Sequence, residues 1–99
     1  MGLRISLHRR ADQDLQEIQS YLVQQAGAQA AERVRLHLLS KLRRLASTPR
    51  MGRPTSNAAI RILPPTRYPY RIYYTVASDA VIVLHIRHSA RRDPDLTSL

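Results

Sequence analysis

The residues of this chain best suited to chemistry are basic, and they lie in its second half. Between residues 50 and 92 stand eight arginines against one acid, Asp79, whereas residues 11–47 carry five cations and four acids. The formal net charge of +9 therefore comes mostly from the second half. A field of that sign speeds encounter with an anionic partner, either nucleic acid or an acidic protein. Fifteen of the sixteen cations are arginine, with Lys41 the one lysine. His85 and His88 stand among these arginines, and imidazole titrates near neutrality. His88 thus offers a general base or, more plainly, a strand-end side chain bonded to backbone or solvent. His85 has the same two roles open to it. Tyr73 offers a ring for stacking on a base or on a partner's side chain, or for packing across strands.

Other chemistries find little support. Asp12 and Asp14 are spaced like an acid–base pair, but they stand at a helix start, where the macrodipole alone favours acids. The histidines and acids lack metal-ligand spacing, and three scattered glycines make no phosphate loop. No cysteine is present, which excludes disulfides and thiolate zinc sites. No apolar run is long enough for a membrane span, and the N-terminus is charged where a signal peptide would be apolar. No cofactor is expected, and the expected location is the cytoplasm.

The elements that must carry these residues follow from periodicity. Residues 3–8 alternate, with Leu3, Ile5 and Leu7 on one side, which predicts a strand. Ala11, Leu15, Ile18 and Leu22 then form one helical stripe, with Gly27 as its stop. No Ser, Thr, Asp or Asn stands at 8–10 to cap it. A second helix is predicted over about 28–47, on the stripe Ala31, Val34, Leu38, Leu42 and Leu45. The link is so short that the two helices form an antiparallel hairpin. Residues 48–57 read as a loop, with Gly52 free to take a positive φ. Three strands follow, Ile60–Leu63, Tyr70–Val76 and Ala80–His88, the last two joined by a tight turn at Ser78-Asp79. Residues 90–99 read as a polar, flexible tail on one domain spanning 1–99.

The predicted fold class is α+β, in the order β-α-α-β-β-β. The helical hairpin buries its stripe on one face of a mainly antiparallel sheet. Strand parity then sorts the side chains. Ile60, Ile62, Ile72, Tyr74, Val76, Ile82, Leu84 and Ile86 are expected beneath the helices. Arg61, Arg71, Tyr73, Thr75, Val83, His85 and Arg87 are expected on the open face, making it cationic with one aromatic ring.

The chain resembles the RelE/ParE superfamily of toxins over roughly residues 5–92. The marks are A-x-x-D-L-x-x-I-x-x-Y from Ala11 to Tyr21, L-x-x-L-x-x-x-P from Leu42 to Pro49, G-R at Gly52-Arg53, I-R-x-L at Ile60–Leu63, Y-R-I-x-Y at Tyr70–Tyr74, and the basic run ending His88-Ser89-Ala90-Arg91. The resemblance implies a toxin of a plasmid-stabilisation, type II toxin–antitoxin system, neutralised by an antitoxin in a heteromeric complex. RelE-like members cut messenger RNA on the ribosome; ParE-like members inhibit DNA gyrase by protein contacts. RNA cleavage needs a proton acceptor, a proton donor and cations for the phosphorane. Arg61, Arg71 and His88 are the candidates here, but the tyrosine that the RelE branch carries near its C-terminus has no counterpart after Tyr74. The C-terminal run is ParE-like.

The expected function is therefore that of a ParE-like gyrase inhibitor, with a ribosome-dependent mRNA endonuclease as the alternative. A plain nucleic-acid-binding module is a third class, one that would bind with steep salt dependence. The target-binding candidates are Arg61, Arg71, Tyr73, His85, Arg87, His88, Arg91 and Arg92. Leu22, Leu38 and Leu39 cannot all face inward, and are the candidates for docking an amphipathic, acidic C-terminal segment of the antitoxin.

Overall fold

The structure, a computed structural model, describes residues 2–97. Strand β1 (Arg4–Leu7) leads directly into helix α1 (Arg9–Ala26). The cap that the sequence lacks in its usual form is His8, whose Nδ1 accepts the amide of Arg10 at 3.1 Å. Gly27, at φ 92°, ends α1 and opens helix α2 (Ala28–Ser47). That positive φ, with ψ 166°, reverses the chain in one residue, a conformation essentially confined to glycine that costs other residues about 1–3 kcal/mol. Gln19 of α1 donates to the carbonyl of Ala31 at 3.0 Å and fixes the start of α2 against its partner.

Four further strands complete the order, namely β2 (Arg53–Pro54), β3 (Arg61–Leu63), β4 (Tyr70–Val76) and β5 (Ala80–His88). They form one sheet in the order β1-β5-β4-β3-β2, parallel between β1 and β5 and antiparallel elsewhere. The expected α+β architecture is the observed one, with the two-residue β2 added at the edge. Two residues ending in proline carry no readable alternation, which is why this segment reads as loop.

The main core lies between helices and sheet. Ala11, Val34, Leu38, Leu42 and Leu45 meet Leu63, Ile72, Tyr74, Val81, Val83 and Ile86. A smaller cluster of Ile60, Ile62 and Tyr73 lies on the other face, covered by Leu84 and Leu96.

Two parity expectations are overturned. In β5, Val81 and Val83 join the main core and Leu84 the smaller cluster, the reverse of the expectation for Ile82, Val83 and Leu84, and Val76 at the end of β4, expected in the core, is exposed. The cause in β5 is a bulge. Tyr73 pairs with His85 and Tyr74 with Val83, so Leu84 is an extra residue and the sides exchange there. In β3, Ile62 pairs with Tyr73 and Arg61 with Tyr74, so Ile60 and Ile62 take the second face and Arg61 the helix side. Ile-Arg-Ile-Leu has apolar residues at both parities, and pairing with β4 decides between them.

Two other residues make unusual contacts. Lys41 is buried and donates to the carbonyl of Pro64 at 2.8 Å; burial lowers its pKa from the ordinary lysine value. Gly52 does not use a positive φ. Its amide donates to the Tyr74 hydroxyl at 2.9 Å, and that hydroxyl donates to the Pro49 carbonyl at 2.8 Å. A Cβ on Gly52 would lie 2.5 Å from the Tyr74 oxygen and 2.8 Å from the Ile62 carbonyl.

Gly52→Ala is thus expected to lower stability by about 1–3 kcal/mol, and Tyr74→Phe by about 1–3 kcal/mol for the stranded Gly52 amide. Urea unfolding of both single variants and the double variant checks this. The two losses should fall short of adding, since one contact carries both.

Candidate functional site

The face of the sheet away from the helices is organised around two cross-strand pairs. Arg71 lies opposite Arg87, and Tyr73 opposite His85. Like charges placed directly opposite repel, so a guanidinium pair needs support from outside the ladder, and it comes from two directions.

The first is helical. Asp14 of α1 is buried and reaches β5 beyond the end of its pairing with β1 at Val83. Its Oδ2 accepts the Ile86 amide at 2.9 Å and also the His85 Nδ1–H. Arg87 has only hydrogens to give, so the other ring nitrogen of His85 accepts from its Nη1 at 3.1 Å. Arg10 approaches the second oxygen of Asp14 at 3.4 Å. The chain Asp14–His85–Arg87 thus fixes a guanidinium on the sheet face from a carboxylate on a helix. Asp14, expected only to serve the helix dipole, does a second job. The signal was legible, since Ala11, Asp14 and Ile18 share one stripe, and an acid on an apolar stripe has to be paired.

The second support is the C-terminal segment. Read from the sequence as polar and loose, residues 89–97 run back across the face; residues 98 and 99 of that segment lie outside the described residues. The Ser89 amide donates to the Pro69 carbonyl at 2.7 Å, and Asn57 donates to the Leu96 carbonyl at 3.2 Å. Asp93 meets Arg71 Nη1 at 2.9 Å and accepts the Tyr73 hydroxyl at 2.6 Å, both through Oδ1. Arg71 Nη2 also donates to the Arg91 carbonyl. Tyr73 is consequently fully buried rather than open. Burial first, and then the bond to Asp93, push its phenol up to about 12, while the Arg71 and Arg87 charges pull the other way.

The remaining candidates divide. Arg61 is not on this face: its Nη1 donates to the Gly52 carbonyl at 2.7 Å. His88 is exposed, its Nδ1 accepting the Ala90 amide at 3.0 Å and its ring meeting Tyr70 edge-on at 5.5 Å. Arg91 and Arg92 are exposed. His85 is buried and engaged on both nitrogens. Leu38 is 1% exposed and belongs to the core, which removes it as a docking residue. Leu22 and Leu39 are half-buried and open on different sides. Leu22 lines a groove of about 680 Å³ between α1 and the end of β5, with Tyr21, Tyr68 and His88. Leu39 lines a shallower hollow between α1 and α2. Among the described residues no three His, Asp or Glu side chains gather as a metal site, and no helix is long and apolar enough to cross a membrane.

The model of a protein family, "ParE toxin of type II toxin-antitoxin system, parDE", matches residues 5–93. No curated protein sequence matches the chain significantly. The fold is similar to that of the chromosomal ParDE toxin–antitoxin system from P. aeruginosa, at 22% identity over 87% of this chain and 95% of that one, with a TM-score of 0.78. It is also similar to the toxin–antitoxin complex RelBE2 from Mycobacterium tuberculosis, at 18% identity over 89% and 99%, with a TM-score of 0.66. A mutant E. coli toxin RelE in complex with an antitoxin RelB peptide matches at 19% identity over 87% and 82%, also with a TM-score of 0.66.

Two outcomes test this geometry. Asp14→Ala strands two buried donors and should cost roughly 3–5 kcal/mol in denaturant unfolding; a loss within error of zero would contradict the buried pairing. In an alkaline titration of tyrosine absorbance, Tyr73 should ionise near 12, above the ordinary 10.0, and its step should vanish in Tyr73→Phe. A raised phenol stabilises the fold fully below the ordinary value and ceases to as pH climbs from 10.0 to about 12.

Proposed function

The chain belongs to the ParE family of toxins from type II toxin–antitoxin systems, and from that premise we propose that it inhibits DNA gyrase by protein contacts in the cytoplasm and is neutralised by a cognate acidic antitoxin. The observation that carries this reading is the state of the basic face. Arg71 and Arg87 are held side by side by the His85 relay and the tail, as a pre-ordered cationic pair. Pre-ordered arginines beside a buried tyrosine are the usual anchors of protein interfaces.

The alternative, RNA cleavage, needs an acid, a base and cations around one phosphate. Its candidates do not converge here. Arg61 is engaged at Gly52, and one His88 ring nitrogen is held by the Ala90 amide. Tyr73 keeps its proton to about pH 12 and donates it in a hydrogen bond to Asp93. These features support a binding protein over a nuclease. The groove beside Leu22 is open and partly apolar, and suits an amphipathic helix from the antitoxin.

Purified protein should inhibit gyrase supercoiling in vitro, or trap cleaved DNA, and should leave toeprints on translating ribosomes unchanged. Arg71→Ala should raise the amount needed for half-inhibition by roughly tenfold or more with the fold retained. New ribosomal toeprints with no effect on gyrase at excess protein would reverse the assignment.

A further inference from the structure

The two arginines paired across β4 and β5 are held by different chemistry. Arg71 gives its hydrogens to the Asp93 carboxylate and the Arg91 carbonyl, and neither contact involves an imidazole. Among the described residues the Arg87 side chain makes one hydrogen bond, from Nη1 to Nε2 of His85 at 3.1 Å. Its Nε–H is buried without an acceptor, and none of the ion pairs among those residues includes it. The His85 ring is thus the link between Arg87 and the buried carboxylate of Asp14. That link has a direction. Nδ1 carries its hydrogen toward Asp14, so a proton added to the ring can go only to Nε2. The new hydrogen would face Arg87 Nη1, donor against donor, with a second positive charge beside the guanidinium.

We propose that His85 is a positioning residue with two states: as neutral imidazole it aims Arg87 across the ladder from Arg71, and as imidazolium it releases Arg87, so that the arginine pair is complete only on the alkaline side of the His85 titration. Imidazole is the side chain whose ordinary titration lies nearest neutrality. The ionisable groups around the ring are otherwise engaged or open to solvent. On α1, Asp14 is turned to Nδ1, Arg10 is turned to Asp14, and exposed Glu17 lines the same groove as His85 and Arg87. On β4, the Tyr73 ring is tilted 6.2 Å from that of His85 and its hydroxyl is given to Asp93, while Arg71 is a second cation on the face. Farther along β5, His88 spends its Nδ1 on the Ala90 amide. After β1, His8 donates its amide to Val83 and turns its ring to the Arg10 amide. The ladder fixes the direction of the effect. Two guanidinium groups directly opposite repel, so the loss of the one acceptor together with a third positive charge drives Arg87 away from Arg71. The release stands on this geometry alone; its effect on inhibition rests on the reading of this face as the target contact.

The test is a titration of the full chain by nuclear magnetic resonance from about pH 8 to about pH 5, following the His85 ring nitrogens and the Nε–H signals of Arg71 and Arg87. Nε2 of His85 should gain a hydrogen while Nδ1 keeps its own. The Arg87 signal should move with the same midpoint, and that of Arg71 much less. An Arg87 signal that stays flat through the His85 step would overturn the proposal. Two variants add to this wild-type result. His85→Gln offers an amide oxygen that accepts from Arg87 and does not titrate, so the Arg87 signal should stay in its held position at every pH. In Arg87→Met the reciprocal effect is read: with no guanidinium asking for a bare Nε2, His85 should take up its proton at higher pH, and an unmoved step would count against the link. Gyrase inhibition is measured on the same samples. The half-inhibitory amount of wild type, divided by that of His85→Gln, should rise about threefold on the acid side of the step. Release of Arg87 with a flat ratio would sink the target reading and leave the switch, whereas a flat Arg87 signal sinks the switch whatever the target.

Discussion

A single carboxylate joins the two layers of this protein at the point where its surface chemistry is set. Asp14 is on a helix, yet its partners are the Ile86 amide and the His85 ring of the central strand β5. Buried acids are stable only when their lone pairs are filled, and here filling them has a positional result. The His85 ring is held in one orientation, its far nitrogen takes a hydrogen from Arg87, and the guanidinium faces outward. The bulge at Leu84 belongs to the same device, because the extra residue brings His85 opposite Tyr73 while Ile86 stays in the main core. A helix–sheet interface built only of leucines and valines would bury as much apolar surface without aiming a cation.

Charge explains the second layer of organisation. Two arginines directly across a ladder are unfavourable by themselves. The tail reduces that repulsion with one carboxylate and covers Tyr73, which would otherwise expose a large ring. Such a contact is modest in strength, as exposed ion pairs are. The basic face is thus shielded by a segment whose hold is electrostatic at one point and apolar at another. Salt would loosen the first and leave the second.

Much of this was legible in the residues. The helices end where Gly27 and Pro49 say they should, and β4 and β5 match their sequence limits because Pro69 and Ser78-Asp79 bound them. What could not be read was side within strand. Val-Ile-Val-Leu-His-Ile is apolar or aromatic throughout, so nothing in it marks the bulge, and Ile-Arg-Ile-Leu fits either parity. Arg61 takes the helix side for that reason, and the burial of His85 depends on a partner 71 positions away, beyond any local pattern. Asp93 escaped notice because a polar tail has no periodicity to betray a contact. Asp14 is different: its place on the Ala11–Ile18 stripe announced a buried acid, although not what it would bind.

The parallel pairing of β1 with β5 carries a further consequence. Arg4 aligns with Ala80 and Leu7 with Val83, so the first strand has no strand neighbour until β5 is made. The αα-hairpin can form early from local contacts, while the sheet waits for a long-range closure. On a translating ribosome the nascent chain would hold a finished helical pair and an unformed sheet until β5 emerges. The patch made by Arg71 and Arg87 does not exist during that time, and a cell making this protein meets its basic face only after β5 has been delivered.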